Sequence, residues 1–328
     1  MSDNGHVPEL ELQGGAYLRS EKSVTFSLKL GEFVLSRKPF NAVSLYFEMG
    51  EHPELDALAA ANLRHGPYDL VRFPNVDATL RTGLFRWSSG CFWYAPAASP
   101  LYCVDLKGSF EDYLRKFSQK SRKNLRRDRE KLKQLSGDDE YFREYRLPGE
   151  MRDFCRVARS ISAKTYQERL LGVGLPDSPE FVEDMIRRAD QDLVRGYILY
   201  DKDHPVAFAY CSGRDKQLTY NTIGYDPAYT DHSPGRVLLY CLLDRLFAER
   251  RFELLDFGMG DGFYKSFFST HSFNCANIFC FRLSARNLAF VISHAGLAAL
   301  SRTVVRLTQA LNIKDKIKKW ARANAGSS

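Results

Sequence analysis

Within ten residues the chain gathers a carboxylate, a phenol and an amine. In LLDFGMGDGFYKSFF, from Leu254 to Phe268, Asp256 is followed by glycines at 258, 260 and 262, then by Tyr264 and Lys265. The pattern imitates two nucleotide motifs and fits neither. A dinucleotide fingerprint counted from Gly258 needs its third glycine where Phe263 stands, and no acidic residue follows a second strand about twenty positions on. Asp256-Phe257-Gly258 spells a kinase tripeptide, yet no HRD-type loop precedes it and no glycine-rich loop opens the chain. What remains is a strand end carrying Asp256, a glycine-rich turn, and a short helix that presents Tyr264 and Lys265.

A second candidate lies in YTDHSPGRVLLYCLLDRLF. Ser233 suits a helix N-cap, Pro234 the first helical position, and Gly235 lets a ligand approach the backbone. Unpaired N–H groups at such a start favour an anion by roughly 0.3–2 kcal/mol, and Arg236, next to Val237, adds a charge-assisted contact. Each residue also has a plainer reading. Ser-Pro-Gly is ordinary capping, Tyr264 a core residue, Lys265 a surface charge, and Asp256 a cap for the turn after it. His232 beside the helix start and His271 after Phe268 are weaker base candidates.

These groups need elements to hold them. VTFSLKLGEFVLS (24–36) reads as strand, turn and strand, 42–49 as a strand, 54–66 as a helix and 68–74 as a strand. The aromatic, Pro- and Ser-rich stretch 87–106 predicts one strand and a loop. From Ser109, an N-cap, one long amphipathic helix is expected to run to Ser136-Gly137, with a dense positive stripe. Helices at 150–167 and 181–190 come next. GYILY, VAFAYCSG and QLTYNTIGYD, separated by polar turns, predict an antiparallel meander. Then come a helix (234–250), the strand FELLDFG, the short helix through Phe268 and the strand ANIFCFRLS.

The whole is 328 residues long and 44% hydrophobic, enough for a sizeable core. No run of 18 apolar residues appears, and the first thirty residues lack a basic then apolar leader pattern, so a cytosolic location is expected. The seven cysteines form no CxxC pair and have no histidine at zinc spacing; they read as reduced and buried, with no metal expected. Net charge is +7 but unevenly spread: ten Lys/Arg against Asp128 and Glu130 fall between Arg115 and Lys133, and nine against Asp315 from Arg282 onward. Two basic segments on an otherwise acidic chain suit anionic partners. The tail after Arg286 is helical in composition, and its basic end around Trp320 suits packing on the core or peripheral contact with a membrane.

Four segments together, SQKSRKNLRRDREKL, HPVAFAY, IGYDPAYTDHSPGRVLLY and LLDFGMGDGFYKSFFS, resemble acyltransferases of the GNAT superfamily. The resemblance is greatest to the BioF2-like or CelD-like (cellulose-biosynthesis) acetyltransferases, themselves similar to the Fem aminoacyltransferases, and it covers about Leu106 to Ser284. It implies an α/β fold with a mixed sheet, in tandem GNAT-like halves: residues 1–106, a basic linker helix 107–137, the acyltransferase domain 138–284 and a helical tail 285–328. It implies an acetyl-CoA or longer acyl-CoA donor, its pyrophosphate on Ser233, Pro234, Gly235, Arg236 and Val237. The single glycine there departs from the usual Gly-x-Gly/Ala loop, which leaves aminoacyl-tRNA open as the alternative donor, with the basic helix as its footprint. Lys265 is expected to stabilise the reacting carbonyl oxygen, Tyr264 to protonate the leaving thiolate, and Asp256 to serve as base or amine anchor. The acceptor implied is an amine on an amino sugar or a surface-polysaccharide precursor. A non-catalytic accessory protein of a polysaccharide machine is the remaining alternative.

Overall fold

Alternation of apolar and polar residues in VTFSLKL favours a strand, and it pairs with FVLSRKPF in a hairpin whose Phe26 and Phe40 are buried in one of two compact units. The computed structural model describes residues 11–13, 17–21, 23–30, 33–47, 54–81, 83–137, 140–165 and 174–310. One unit holds the described residues of Pro8–Ala97 and Ala276–Ser328, the other those of Ala98–Cys275.

In the first unit β1 (Glu11–Gln13), β2 (Tyr17–Glu21) and β5 (Ala42–Tyr46) pair antiparallel in sequence, while β3 (Val24–Leu30) and β4 (Phe33–Phe40) form the hairpin. A crossover through α1 (Leu55–His65) lays β6 (Leu70–Asp77) parallel to β5. The stretch expected to be one strand and a loop supplies three strands: β7 (Phe85–Ser88), β8 (Cys91–Tyr94) and β9 (Ser99–Asp105), the last of which belongs to the second unit. Gly90, at φ +73, closes the β7–β8 turn that separates them.

The second unit carries the chemistry candidates. The single long helix expected from Ser109 is two helices, α2 (Phe110–Leu114) and α3 (Gln119–Ser136). The break has a local cause: Ser118 acts as a second N-cap, its Oγ accepting from the Ser121 N–H at 3.2 Å. Gly137, in the left-handed region, ends α3 as expected. After β10 (Phe142–Tyr145) come α4 (Met151–Ser162) and α5 (Pro179–Asp190), then the meander β11 (Val194–Asp201), β12 (His204–Arg214) and β13 (Gln217–Tyr225). Helix α6 (Pro234–Glu249) leads to β14 (Leu254–Met259), and α7 (Phe263–Phe268) to β15 (His271–Arg282), which starts five residues earlier than its apolar run predicts. The strand order is β9, β14, β13, β12, β11, β10.

Two cores cover the faces of this sheet. One gathers Leu125 and Leu132 of α3 with α6, which is apolar nearly all round and accordingly buried. The other packs α4 and α5 on Ile198, Phe208 and Tyr210. In the first unit α8 (Ala285–Ala310) follows β15, and its Val291 and Ala295 join Phe26, Phe40 and Phe281 in the core. The start of the predicted tail is therefore a core helix, while its basic end around Trp320 lies outside the described residues. Among the described residues no helix is long and apolar enough to cross a membrane. All seven cysteines are buried and free.

Candidate active site

The site is built on the only parallel ladder that the second unit contains among its described residues. Strands β13 and β14 pair at Gln217–Leu254, Leu218–Leu255 and Thr219–Asp256, and there the ladder stops although both strands continue. Beyond Asp256, β14 stays with β9 through a bulge, Met259 opposite Leu101 and the Gly260 N–H on the Pro100 carbonyl at 2.9 Å. The two parallel strands thus part. Because they run the same way, their C-terminal ends open on one edge of the sheet, and α6 and α7 both follow from that edge.

At the first junction β13 passes through a 3-10 turn, Pro227–His232, into α6. Ser233 stands at the N-cap position in the left-handed region, φ 52 and ψ 47, and its side chain caps no backbone N–H. This corrects the capping expected from its type. A capping serine needs extended backbone, and the preceding turn does not leave it that way. Its carbonyl instead accepts from the N–H groups of Arg236 and Val237 at 3.0 and 3.1 Å. Pro234 has no N–H, so the Gly235 N–H is left without a backbone partner among the described residues. Space around Gly235 is open: an added Cβ would meet only the Tyr225 ring, at 3.9 Å. Arg236 donates to Ser233 Oγ at 3.2 Å and pairs with the carboxylate of Asp128 on α3. His232 is exposed, its ring tilted against Tyr229.

The second junction is tighter. Asp256 is 3% exposed, and both its oxygens accept: Oδ1 from the Gly258 N–H at 2.7 Å and Oδ2 from Gln217 Nε2 at 3.1 Å. Burial raises its pKa above the ordinary value, opposed by the Gly258 N–H, Lys265, Gln217 and Arg214. Lys265 reaches back over the turn and donates to the carbonyls of Gly258 (3.3 Å) and Met259 (3.0 Å). Burial lowers its pKa, while Asp256 and Asp261 hold it up. Two of its three N–H donors are directed at these carbonyls, so one remains for a substrate oxygen. Tyr264 packs edge-on to Phe257 and Tyr220 at 6.0 and 6.3 Å, beside the parting strands, and burial alone raises its pKa. The α6 start and the Tyr264–Lys265 pair thus both follow from the same end of the parallel strands, while Asp256 lies beneath the turn. His271 is exposed, with Nδ1 beside Thr270 Oγ1 at 2.9 Å.

Sequence reasoning missed the clasp behind α7. Tyr113 OH donates to the Phe268 carbonyl at 2.6 Å, and Lys116 Nζ donates to the carbonyls of Phe267 (3.1 Å) and Ser269. Three consecutive carbonyls at the end of α7 are so held from α2 and the turn after it. The desolvated Lys116 amine is pushed down to about 8. The one sequence signal for this arrangement was the second serine, Ser118, which frees Lys116 and Phe117 from a helix.

Comparison with known proteins gives the class. Residues 119–266 match the family model described as "Acetyltransferase (GNAT) domain", and the mixed α/β fold is of that type. No curated protein matches the chain. Among solved structures, the chain is similar to the C-terminal domain (DUF2156) of a protein assigned as a lysylphosphatidylglycerol synthetase from Agrobacterium fabrum. The two are 13% identical over 88% of each chain, with a TM-score of 0.50, a likeness of fold alone. It is also similar to L-PGS from Bacillus licheniformis (14% identity, 91% of this chain and 89% of that one, TM-score 0.49). A third is FemX (10% identity, 83% and 90%, TM-score 0.49). The acetyltransferase domain supports a transferase, and the region it covers contains both strand-to-helix junctions.

Proposed function

We propose that this protein is an acyl-CoA-dependent N-acyltransferase that passes an acyl group from a thioester to an amine. The observation that carries the reading is the parting of β13 and β14 beyond Asp256, with the open start of α6 and the Tyr264–Lys265 pair on the same edge. Parting strands leave backbone N–H and C=O groups available along their facing edges, and an amide-bearing pantetheine arm has the chemistry to pair with them. The Gly235 N–H and the positive end of α6 fit a pyrophosphate.

Acyl transfer to an amine forms the C–N bond through a tetrahedral oxyanion and breaks the C–S bond, the nitrogen losing one proton to solvent and the departing thiolate gaining one. The remaining N–H of Lys265 suits the oxyanion. Tyr264, kept protonated by burial, suits the sulfur as proton donor. Asp256, whose oxygens are both engaged, acts through the turn it ties and through its charge beside Lys265, rather than by meeting the amine. The acceptor class, an amino sugar or surface-polysaccharide precursor, follows the resemblance of the sequence to the BioF2-like and CelD-like branch.

Calorimetric titration with acetyl-CoA and longer acyl-CoAs, then thiol release in the presence of amino sugars, tests the reading. Saturable binding and amine-dependent release are expected. Absence of binding by every acyl-CoA tried sinks it.

A further inference from the structure

Asp128 stands in the buried stripe of α3, between Leu125 and Leu132 and only 9% exposed, in the core that α3 shares with α6. Its Oδ2 accepts from Arg236 Nη2, and its Oδ1 lies 3.5 Å from a guanidinium nitrogen of the exposed Arg127. Holding a carboxylate there costs desolvation, and apolar side chains in place of a buried pair are often neutral or stabilising. Stability alone gives little reason for the pair. What Asp128 does to Arg236 gives a better one.

Arg236 is the third residue of α6, directly after Gly235. Both N–H groups of its Nη2 are taken, one by Asp128 and the other by Ser233 Oγ at 3.2 Å. Ser233 is available for this because its left-handed backbone keeps its side chain from capping α6. The guanidinium is so held at one nitrogen from two elements. Its Nε–H and the two N–H groups of Nη1 have no partner among the described residues. We propose that Asp128 is a positioning residue, which fixes Arg236 from α3 so that these three spare donors join the Gly235 N–H in meeting the donor's pyrophosphate. The inference rests on the acyl-CoA reading above and adds to it a residue that touches no ligand. A carboxylate can aid the binding of an anion in this way, because an arginine already held loses less side-chain freedom when the anion arrives.

Charge and positioning predict opposite signs. Removing a negative charge near a phosphate tightens binding, whereas releasing Arg236 weakens it. The experiment measures coenzyme A binding by calorimetry on the full chain, on Asp128→Asn, on Arg236→Met and on the two combined. Arg236→Met should bind about tenfold more weakly or worse, the size expected of charge-assisted contacts. Asp128→Asn should lose about threefold to tenfold, and less than about twofold once Arg236 is already Met. Asp128→Leu, which continues the apolar stripe of α3 and is expected to fold, should show the same loss. Binding unchanged or tighter in both Asp128 variants overturns the inference. So does a loss that persists undiminished beside Arg236→Met, since Asp128 would then act through packing. If wild type binds no coenzyme A, the acyl-CoA reading falls and the inference with it, an outcome distinct from wild-type binding that ignores Asp128.

Discussion

Two neighbouring parallel strands leave one sheet edge by different routes. After β13 the chain takes a 3-10 turn and enters a sixteen-residue helix whose body is buried, so the junction is anchored from behind and open in front. After β14 it makes a turn with Gly258 and Gly260 at φ +73 and +98, then enters a helix of only six residues. Such a short helix has little stability of its own. It is held by what reaches it: Asp256 and Lys265 at the turn, Tyr113 and Lys116 at its far end. A buried helix can hold out an open backbone group, whereas the short helix carrying Tyr264 and Lys265 is fixed by a web of contacts from several elements.

The sharpest way to break this contrast is at Lys265. Replacing it with Met should lower turnover about 10²–10³-fold, as removal of an oxyanion donor does, and leave donor affinity within about threefold. Turnover within about threefold of wild type would make Lys265 only a brace for the turn. The pH profile sharpens the same point. Activity should rise with pH as Asp256 ionises, above the ordinary carboxylate range, and fall on the alkaline side as Lys265 loses its proton below the ordinary lysine value. Asp256→Asn should remove the acid limb and leave the alkaline one.

Next in size is the clasp. Tyr113→Phe leaves the Phe268 carbonyl without its buried donor and should cost about 1–3 kcal/mol in denaturant unfolding. An unchanged midpoint would show that α7 stands without it.

The smallest effects carry the comparison most directly, because one substitution should change stability in opposite directions at the two junctions. Gly258→Ala forces a side chain into the left-handed region with open space around it, at a cost of about 1–2 kcal/mol. Gly235→Ala meets no steric bar in a helical position and should gain about 0.4–1 kcal/mol while weakening binding of acetyl-CoA. If Gly235→Ala binds acetyl-CoA as tightly as wild type, no phosphate approaches that backbone closely.

Much of the scaffold around these junctions was legible along the chain. The meander, the two helices after it and the strand between them follow from period-two and helical patterns with turn residues between, all local signals. The α2–α3 break was carried by a single serine within a continuous helical pattern, and the three strands of 85–105 hid in a stretch rich in aromatics and Pro. Ser233 shows the limit most clearly. Its type predicts a capping side chain, but the cap depends on a backbone angle that the preceding turn sets.

By itself the sequence determined which groups are available and where each junction falls: Gly235 after a strand, Asp256 at a strand end, Tyr264 and Lys265 at the next helix. Only the tertiary structure decided which of them are engaged and which keep a free donor. Asp256 is sealed beneath its turn, Arg236 is engaged by Asp128, and Lys265 is bent back over two carbonyls with one donor to spare. Those outcomes depend on burial and on partners far away in sequence, such as Gln217 for Asp256 and Asp128 for Arg236, and spacing along the chain does not encode them.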